Sequence, residues 1–169
     1  MHTLIKLLQD TPIFGGVSDE TVGFILENSN KIHRNDGEYF FKEKEVSDSM
    51  FLLISGSVNV VRFWQGKYYV LNTLFSGDCF GEMAIVEHVH RSASVYALEH
   101  CNALEISNKT LLNLYQRDLK QFALLQMNLG REISRRLRSA NERLFQHYIR
   151  TGSGHTAAFS DIPSPAKTA

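Results

Sequence analysis

The pattern of apolar and polar positions changes along the chain, and each change predicts a different kind of element. Apolar residues at helical spacing in 4–8 predict a short amphipathic helix, which Pro12 ends. Ser18 followed by two acidic residues predicts the capped start of a second helix over 21–26. The chain therefore begins with short helices.

From residue 31 the pattern changes to short runs of strand-forming residues separated by glycines and polar turns. Gln65-Gly66 predicts a tight hairpin turn between two of these runs. Seven ranges read as strands, namely 31–34, 39–41, 50–54, 58–63, 67–74, 92–97 and 101–106. About eight short strands with frequent turns predict an α+β fold built on an eight-stranded β-roll of jelly-roll type.

The pattern becomes helical again after the strands. Ser107-Asn108 predicts a helix start, and from Asp118 a helical pattern continues for about thirty residues. One apolar stripe runs along it through Phe122, Leu125, Leu129, Ile133, Leu137, Ala140 and Leu144. A helix of this size is about 45 Å long, more than a small roll covers. We therefore expect its far half to pair with a second copy as a homodimer.

These patterns predict one domain over residues 1–149, which is an ordinary size for a single core. Within it we expect N-terminal helices over 1–28, the β-roll over 30–106 and C-terminal helices over 107–149. Residues 150–169 are rich in Gly, Ser and Pro, and this composition predicts a disordered tail.

Composition and charge narrow the class of protein. The 169 residues are 43% hydrophobic and 21% charged, which is typical of a soluble globular protein. Eighteen basic and eighteen acidic side chains give no overall attraction to nucleic acid or membrane. No apolar run is long enough to span a membrane, and the N-terminus lacks the pattern of a signal peptide. We expect a cytoplasmic protein in which Cys79 and Cys101 are buried, reduced thiols.

Candidate binding chemistry is concentrated in one stretch, Gly81-Glu82-Met83-Ala84, with Arg91-Ser92 shortly after it. The small residues allow close backbone approach, and a short helix over 82–86 would point free N–H groups at an anion. Arg91 adds a permanently charged fork suited to phosphate oxygens, and Glu82 suits a sugar hydroxyl. Together these groups suggest a nucleotide monophosphate. The alternatives are that Arg91 forms a surface salt bridge, or that Glu82 pairs with Arg91.

This stretch resembles the phosphate-binding cassette of the cyclic nucleotide-binding domain family, as found in bacterial catabolite activators and protein kinase A regulatory subunits. The matching residues are Phe80-Gly81-Glu82-x-Ala84 and Arg91-Ser92-Ala93. The resemblance extends through the glycine turns at 36–41, 49–58 and 74–78, and it covers roughly residues 12–147. Several motifs in the right order are more specific than one short match.

The resemblance implies a cyclic nucleotide ligand, with cAMP ahead of cGMP. It implies that Gly81 and Ala84 offer backbone N–H groups and that Glu82 takes the ribose 2′-hydroxyl. Arg91 and Ser92 would hold the cyclic phosphate. The rest of the implied ligand-binding set consists of Met83 and Ala93 in the cassette and Val70 and Leu71 beneath the purine. Val70 and Leu71 could instead be plain core.

The resemblance also makes the long helix the C-helix, which closes over the nucleotide and forms the dimer in bacterial activators. It implies that Arg136 and Asn141 contact the ligand, since an amide can both donate to and accept from a purine edge. Ala140 departs from the family pattern because its side chain cannot form hydrogen bonds, which affects base selectivity. A solvated position on a basic helix face is the alternative for Arg136.

Two further departures lie outside the ligand-binding set. His90 stands where many family members have proline, which makes the loop before Arg91 less rigid. Lys44 replaces a glycine that is common in the turn between the second and third strands.

Other classes of function fit the sequence less well. His88-x-His90 suggests a cupin metal site, but no further ligand follows at cupin spacing, so we expect no metal. About twenty residues follow the long helix without helical pattern, so we expect no helix-turn-helix module and no direct nucleic acid binding.

The sequence thus predicts a non-catalytic, stand-alone cyclic nucleotide sensor. Ligand binding would rearrange the C-helix, and a separate, unknown protein effector would read the change. The alternative is a domain that keeps this fold, no longer binds ligand and acts as a dimerising scaffold.

Overall fold

The computed structural model describes residues 2–87 and 90–152. The chain divides into two compact units, Met1–Glu132 and Ile133–Ala169. Most of the predicted disordered tail, from residue 153 onward, lies outside the described residues.

The first unit is built around two four-stranded sheets in which neighbouring strands are antiparallel. The strand orders are β1-β8-β3-β6 and β2-β7-β4-β5. The strands are β1 (Asn30–Arg34), β2 (Tyr39–Phe41), β3 (Ser49–Ser55), β4 (Ser57–Trp64), β5 (Lys67–Phe75), β6 (Cys79–Phe80), β7 (Ser94–Ala97) and β8 (Cys101–Ser107). The predicted eight-stranded β-roll is confirmed. The seven predicted ranges are correct to within two residues, and β6 is the strand that they leave out.

Helices precede, interrupt and follow the strands. They are α1 (His2–Gln9), a 3-10 turn (Pro12–Phe14), α2 (Asp19–Glu27), α3 (Met83–Val86), α4 (Asn108–Arg117) and α5 (Leu119–Thr151). The predicted helix starts carry the expected caps: Ser18 Oγ accepts from the Thr21 amide at 3.3 Å, and Ser107 Oγ accepts from the Thr110 amide at 3.1 Å.

The core lies where the inner faces of the two sheets meet. Four aromatic rings, Phe40, Phe41, Phe51 and Phe80, pack there with centroids 5.1–6.1 Å apart. Each ring is at most 8% exposed. Cys79 and Cys101 are also buried and form no disulfide, and burial raises the pKa of Cys101.

The hairpin between β4 and β5 turns as the sequence predicts. Gln65 has φ 48° and Gly66 has φ 79°, so both central residues adopt the left-handed conformation that a two-residue type I′ turn requires. β5 pairs only with β4 and lies at the edge of its sheet. The register shifts between Val60 and Val61, which leaves Leu71 as the extra residue on β5.

The long helix α5 belongs to both units. Its first part, residues 119–132, contributes buried Leu125 and Leu129 to the first unit. In the second unit the same helix displays apolar side chains that are 41–61% exposed. They are Leu137, Leu144, Phe145, Tyr148 and Ile149. The helix has 33 residues and is therefore about 50 Å long, close to the prediction.

A buried amide fastens the first part of α5 to the 3-10 turn. Asn128 is 5% exposed, and its Nδ2 donates to the carbonyl oxygens of Ile13 at 3.2 Å and Gly15 at 2.8 Å. Its Oδ1 accepts from Arg131 Nη1 at 2.8 Å. Both protons of the buried amide nitrogen are therefore used to position the helix, while the bond to Arg131 lies within α5.

We expect Asn128→Ala to lower the free energy of unfolding by about 1–3 kcal/mol, because two backbone carbonyls lose their donors. Asn141→Ala removes an amide from an exposed position on the same helix and should change stability by no more than about 0.5 kcal/mol. Urea denaturation followed by circular dichroism measures both. Equal stability of the two variants would show that the buried amide does not fasten the helix.

Candidate functional site

The predicted site residues follow a tightly turned stretch between β5 and β7. Asp78 Oδ2 accepts from the Phe75 amide at 2.9 Å, and the Gly77 amide donates to the Leu53 carbonyl at 2.8 Å. β6 then pairs with β3, Phe51 opposite Phe80. These bonds hold the start of the stretch against the roll.

Gly81 is where the backbone leaves β6 and turns toward α3. Its φ is +75°, a conformation that residues with a side chain rarely adopt. A Cβ atom at this position would lie 2.3 Å from Arg91 Nη1 and 3.2 Å from Phe41 Cε1. Glycine is therefore favoured here both by the backbone conformation and by the space that the guanidinium occupies.

Arg91 is the central feature of the site. Its side chain is buried, with only 5% of the residue exposed. Nη1 donates to the Gly81 carbonyl oxygen at 2.8 Å, and Nη2 donates to Ser49 Oγ at 3.4 Å. Cζ lies 3.9 Å from the centroid of the Phe41 ring. Nε is buried and has no hydrogen-bond partner among the described residues.

Among the described residues, no carboxylate forms a salt bridge with this buried guanidinium. Other arginines do form salt bridges, Arg62 with Glu43 and Arg117 with Glu20. Burial lowers the pKa of Arg91, while the more distant carboxylates of Glu105, Glu45 and Glu82 act to raise it. The surface salt bridge considered for Arg91 is therefore wrong. The site has positive charge, an unused donor and little contact with water.

Ser49 connects Arg91 to a carboxylate on the neighbouring strand. Ser49 Oγ accepts from Arg91 and donates to Glu105 Oε1 at 2.8 Å, and Asn30 Nδ2 donates to Glu105 Oε2 at 3.2 Å. Sequence reasoning did not single out Ser49 or Phe41. Their roles depend on the pairing of β3 with β8 and on the packing of β2, which no local motif reveals.

The backbone of Arg91 is held by the turn that contains Lys44. The Lys44 amide donates to the Arg91 carbonyl at 2.8 Å, and the Arg91 amide donates to the Glu45 carbonyl at 2.9 Å. Lys44 has φ 71°, so it adopts the conformation of the glycine that it replaces. This departure from the common pattern therefore preserves the turn, at a cost in backbone strain.

The short helix predicted over 82–86 is present as α3, Met83–Val86. Its first internal bond runs from the Ile85 amide to the Glu82 carbonyl at 3.0 Å, so the amides of residues 82–84 precede the bonded turn. Four residues are too few for a substantial helix dipole. These backbone donors, rather than a macrodipole, are what the segment can offer an anion.

The cassette side chains differ in exposure. Glu82, Ala84 and Ala93 are buried, whereas Met83 is 41% exposed and Ser92 is exposed. The Ser92 hydroxyl donates to Met83 Sδ, with an Oγ–Sδ distance of 3.7 Å. Buried small residues and an exposed hydroxyl therefore lie in the same short loop as Arg91.

Comparison with known proteins assigns this arrangement to a family. A model of the cyclic nucleotide-binding domain matches residues 31–118, more than half of the chain. The chain belongs to the cyclic nucleotide-binding domain family. This confirms the resemblance described above.

Three relatives illustrate the match. The cyclic AMP receptor protein of Thermus thermophilus is 29% identical over 135 residues, which are 79% of this chain and 61% of that protein. The cAMP-dependent protein kinase regulatory subunit of Mycosarcoma maydis is 29% identical over 92 residues, 54% of this chain and 18% of that protein. The crystal structure of the Thermus thermophilus catabolite activator protein aligns with a TM-score of 0.70 and 29% identity, covering 80% of this chain and 62% of that one. The chain thus spans less than two thirds of each of these proteins.

Val70 and Leu71, the residues predicted to lie beneath the purine, are 56% and 47% exposed. Their alternative assignment to the core is therefore wrong. The register places Val70 opposite Val61 on β4, and Val61 opposite Ser94 on β7. Val70 is thus two strands from the end of the cassette loop, about 10 Å away in the plane of the sheet.

Arg136 and Asn141 lie on α5 in the second unit, whereas the cassette residues belong to the first unit. Asn141 and Ala140 are exposed, and Arg136 is half-buried. Their predicted contact with a ligand stays a prediction.

Two other expectations concern metals and membranes. Among residues 2–87 and 90–152, no three His, Cys, Asp or Glu side chains are grouped so that they could hold a metal ion. His88 of the cupin alternative lies outside the described residues. Within the same part of the chain, no helix is both long and apolar enough to cross a membrane.

We expect Gly81→Ala to be more destabilising than Gly66→Ala, by about 1–3 kcal/mol, because its Cβ atom would displace Arg91. Gly66 is the matched control: its φ of 79° imposes similar backbone strain, but no described atom lies within 4 Å of its Cβ position. Thermal and urea denaturation of both variants measure the difference. Equal losses of stability in the two variants would mean that the Arg91 guanidinium moves away from the added Cβ atom without a cost in free energy.

Proposed function

We propose that this chain is a non-catalytic sensor that binds a cyclic nucleotide, cAMP in preference to cGMP, in the cassette around Arg91. The observation that carries the proposal is the buried guanidinium, 5% exposed, with an unpartnered Nε and no ion pair within the described residues. Such a group is stabilised when an anion enters, because charge-assisted hydrogen bonds replace lost solvation.

The chemistry of the surrounding groups favours a cyclic phosphate on a ribose. Arg91, the backbone amides of Gly81 and Ala84 and the Ser92 hydroxyl supply donors for the phosphate oxygens. The Glu82 carboxylate is an acceptor, and it suits the ribose 2′-hydroxyl. A 3′,5′-cyclic phosphate leaves only that hydroxyl free, so one carboxylate is sufficient.

The relatives support a regulatory role. The Thermus thermophilus protein is named as a cyclic AMP receptor, and the Mycosarcoma maydis protein as a regulatory subunit of a cAMP-dependent kinase. By analogy we propose that ligand binding changes the position of α5 and that a separate protein reads the change. Arg136 and Asn141 are the proposed contacts from this helix to the ligand.

We also propose that the chain forms a homodimer through the second unit. Five large apolar side chains on α5 are exposed there, at a spacing that places them along one side of the helix. A second copy would bury this stripe against its own. A ligand-free scaffold that dimerises in this way is the second candidate function, and the unpaired charge at Arg91 argues against it.

Isothermal titration of the nucleotide-free protein with cAMP and then cGMP tests the proposed function. We expect both to bind, cAMP more tightly. Arg91→Ala should weaken binding by about 100-fold or more, because two or more charge-assisted hydrogen bonds are lost. Arg62→Ala, which removes an exposed arginine of the same chemistry, should leave the affinity unchanged.

Each variant should first be shown to be folded by circular dichroism. Absence of heat with either nucleotide in folded, ligand-free wild type would disprove the sensor and favour the scaffold. If Arg91→Ala binds the nucleotide with unchanged affinity, the binding site lies outside the cassette. Protein that arrives with nucleotide bound can be identified by mass spectrometry of the denatured extract.

For the dimer, we expect light scattering coupled to gel filtration to give twice the chain mass at micromolar concentration. Leu144→Glu places a charge in the apolar stripe and should shift the protein toward the monomer. Arg143→Glu changes the charge of the adjacent exposed residue outside that stripe and should leave the dimer intact. A monomeric wild type would remove this part of the proposal.

A further inference from the structure

A cavity lies among α3, α4 and the first part of α5, all within the first unit. Its volume is about 570 Å³, which falls in the ordinary range of small-molecule sites, about 300–1,000 Å³. None of the residues assigned above to nucleotide binding lines it. It is therefore separate from the cassette.

The greater part of the cavity is apolar. Ile85 of α3 and Leu111 of α4 are 5% and 4% exposed and form its interior. Tyr115 and Phe122 line it as an edge-to-face pair with centroids 5.4 Å apart, and Leu112 is 55% exposed. A hydrocarbon chain or aromatic ring placed here would be removed from water and would cover these exposed side chains.

The lining has one charged residue, Lys109. Its other polar side chains are Asn108, Gln126 and Tyr115, and no acidic residue lines the cavity. Within the described residues Lys109 has no salt-bridge partner. An apolar cavity with a lone cation and hydrogen-bonding amides complements a molecule with an apolar body and one negative end.

We propose that this cavity binds a small amphipathic carboxylate, such as a medium-chain fatty acid or an aromatic acid. The carboxylate pairs with Lys109 and accepts from the amide of Asn108 or Gln126, while the apolar body lies against Ile85, Leu111 and Phe122. Charge distinguishes one ligand from another: the exposed Lys109 attracts the carboxylate of an anionic amphiphile and repels a cationic one.

The position of Ile85 gives such a ligand a regulatory consequence. Ile85 belongs to α3, the helix that directly follows Glu82, and its amide is bonded to the Glu82 carbonyl at 3.0 Å. A ligand that contacts Ile85 therefore touches the element that carries the cassette amides. If the two sites are coupled, each ligand must change the affinity of the other by the same factor. This coupling rests on the proposed nucleotide site, whereas binding of the carboxylate does not.

The test is isothermal titration of the full, nucleotide-free chain with decanoate, and with decyltrimethylammonium as a probe with the same chain and opposite charge. Decanoate is expected to bind and the cation is not. Lys109→Glu should weaken decanoate binding by about fivefold or more, because it replaces attraction with repulsion. Lys120→Glu makes the same charge change at an exposed residue of α5 that does not line the cavity, and it should have no effect.

A second variant tests the cavity rather than the charge. Leu112→Trp enlarges an exposed lining residue and should block decanoate while leaving the fold intact. Arg91→Ala should still bind decanoate, so a failure of the nucleotide site can be distinguished from a failure of this one. The proposal is wrong if titration with decanoate gives no heat of binding, or if the cationic probe binds equally well. It is also wrong if neither Lys109→Glu nor Leu112→Trp changes the affinity for decanoate. If light scattering shows instead that Leu112→Trp dissociates a dimer, a second copy covers the cavity and the proposal is wrong.

Discussion

The burial of one positive charge, that of Arg91, is the constraint on which the site depends. Removing a guanidinium from water is expensive unless other groups replace its solvation. Here Phe41 lies 3.9 Å beneath it, the Gly81 carbonyl and Ser49 accept two of its donors, and Nε remains unpartnered among the described residues. The protein supplies enough stabilisation to hold the charge in place, but not a counter-ion. The shortfall is what an anionic ligand can relieve.

The surrounding sequence follows from that constraint. Gly81 is a glycine because a Cβ atom would occupy the space of Nη1, and Ser49 is a small hydroxyl because it must accept from Arg91 while donating to Glu105. The Lys44 turn holds the Arg91 backbone from both sides and accepts a left-handed residue to do so. Local rules of conformation and burial are thus broken at two neighbouring places, the left-handed backbone of Lys44 and the buried charge of Arg91. Such clustering of exceptions is expected where function, rather than stability, has set the sequence.

The parts of this arrangement that could be predicted from sequence are those that local patterns encode. Runs of strand-forming residues and the Gln65-Gly66 turn predicted the strands. The cassette motif identified Gly81, Glu82 and Arg91 as candidate site residues. The two-residue strand β6 was missed because two residues carry no periodicity. The contacts of Ser49 and Phe41 with Arg91, and of Glu105 with Ser49, were missed because they join strands and loops that are distant in sequence. The exposure of Val70 and Leu71 could not be foreseen, since a bulge in β5 interrupts the alternation that would reveal which face is buried.

The first part of α5 is constrained in a way that bears on how a signal could leave the site. Asn128 bonds to two carbonyls of the 3-10 turn and to Arg131, so this part of the helix cannot shift alone without breaking buried hydrogen bonds. Each broken bond would leave a buried polar group unsatisfied, at a cost of about 1–3 kcal/mol. The free energy that a ligand contributes to a conformational change equals the difference between its binding free energies for the two conformations, typically a few kcal/mol. A movement that carries the 3-10 turn along with the helix keeps those bonds and avoids the cost. Any response of the first part of α5, residues 119–132, should therefore move this part of the helix and the 3-10 turn together.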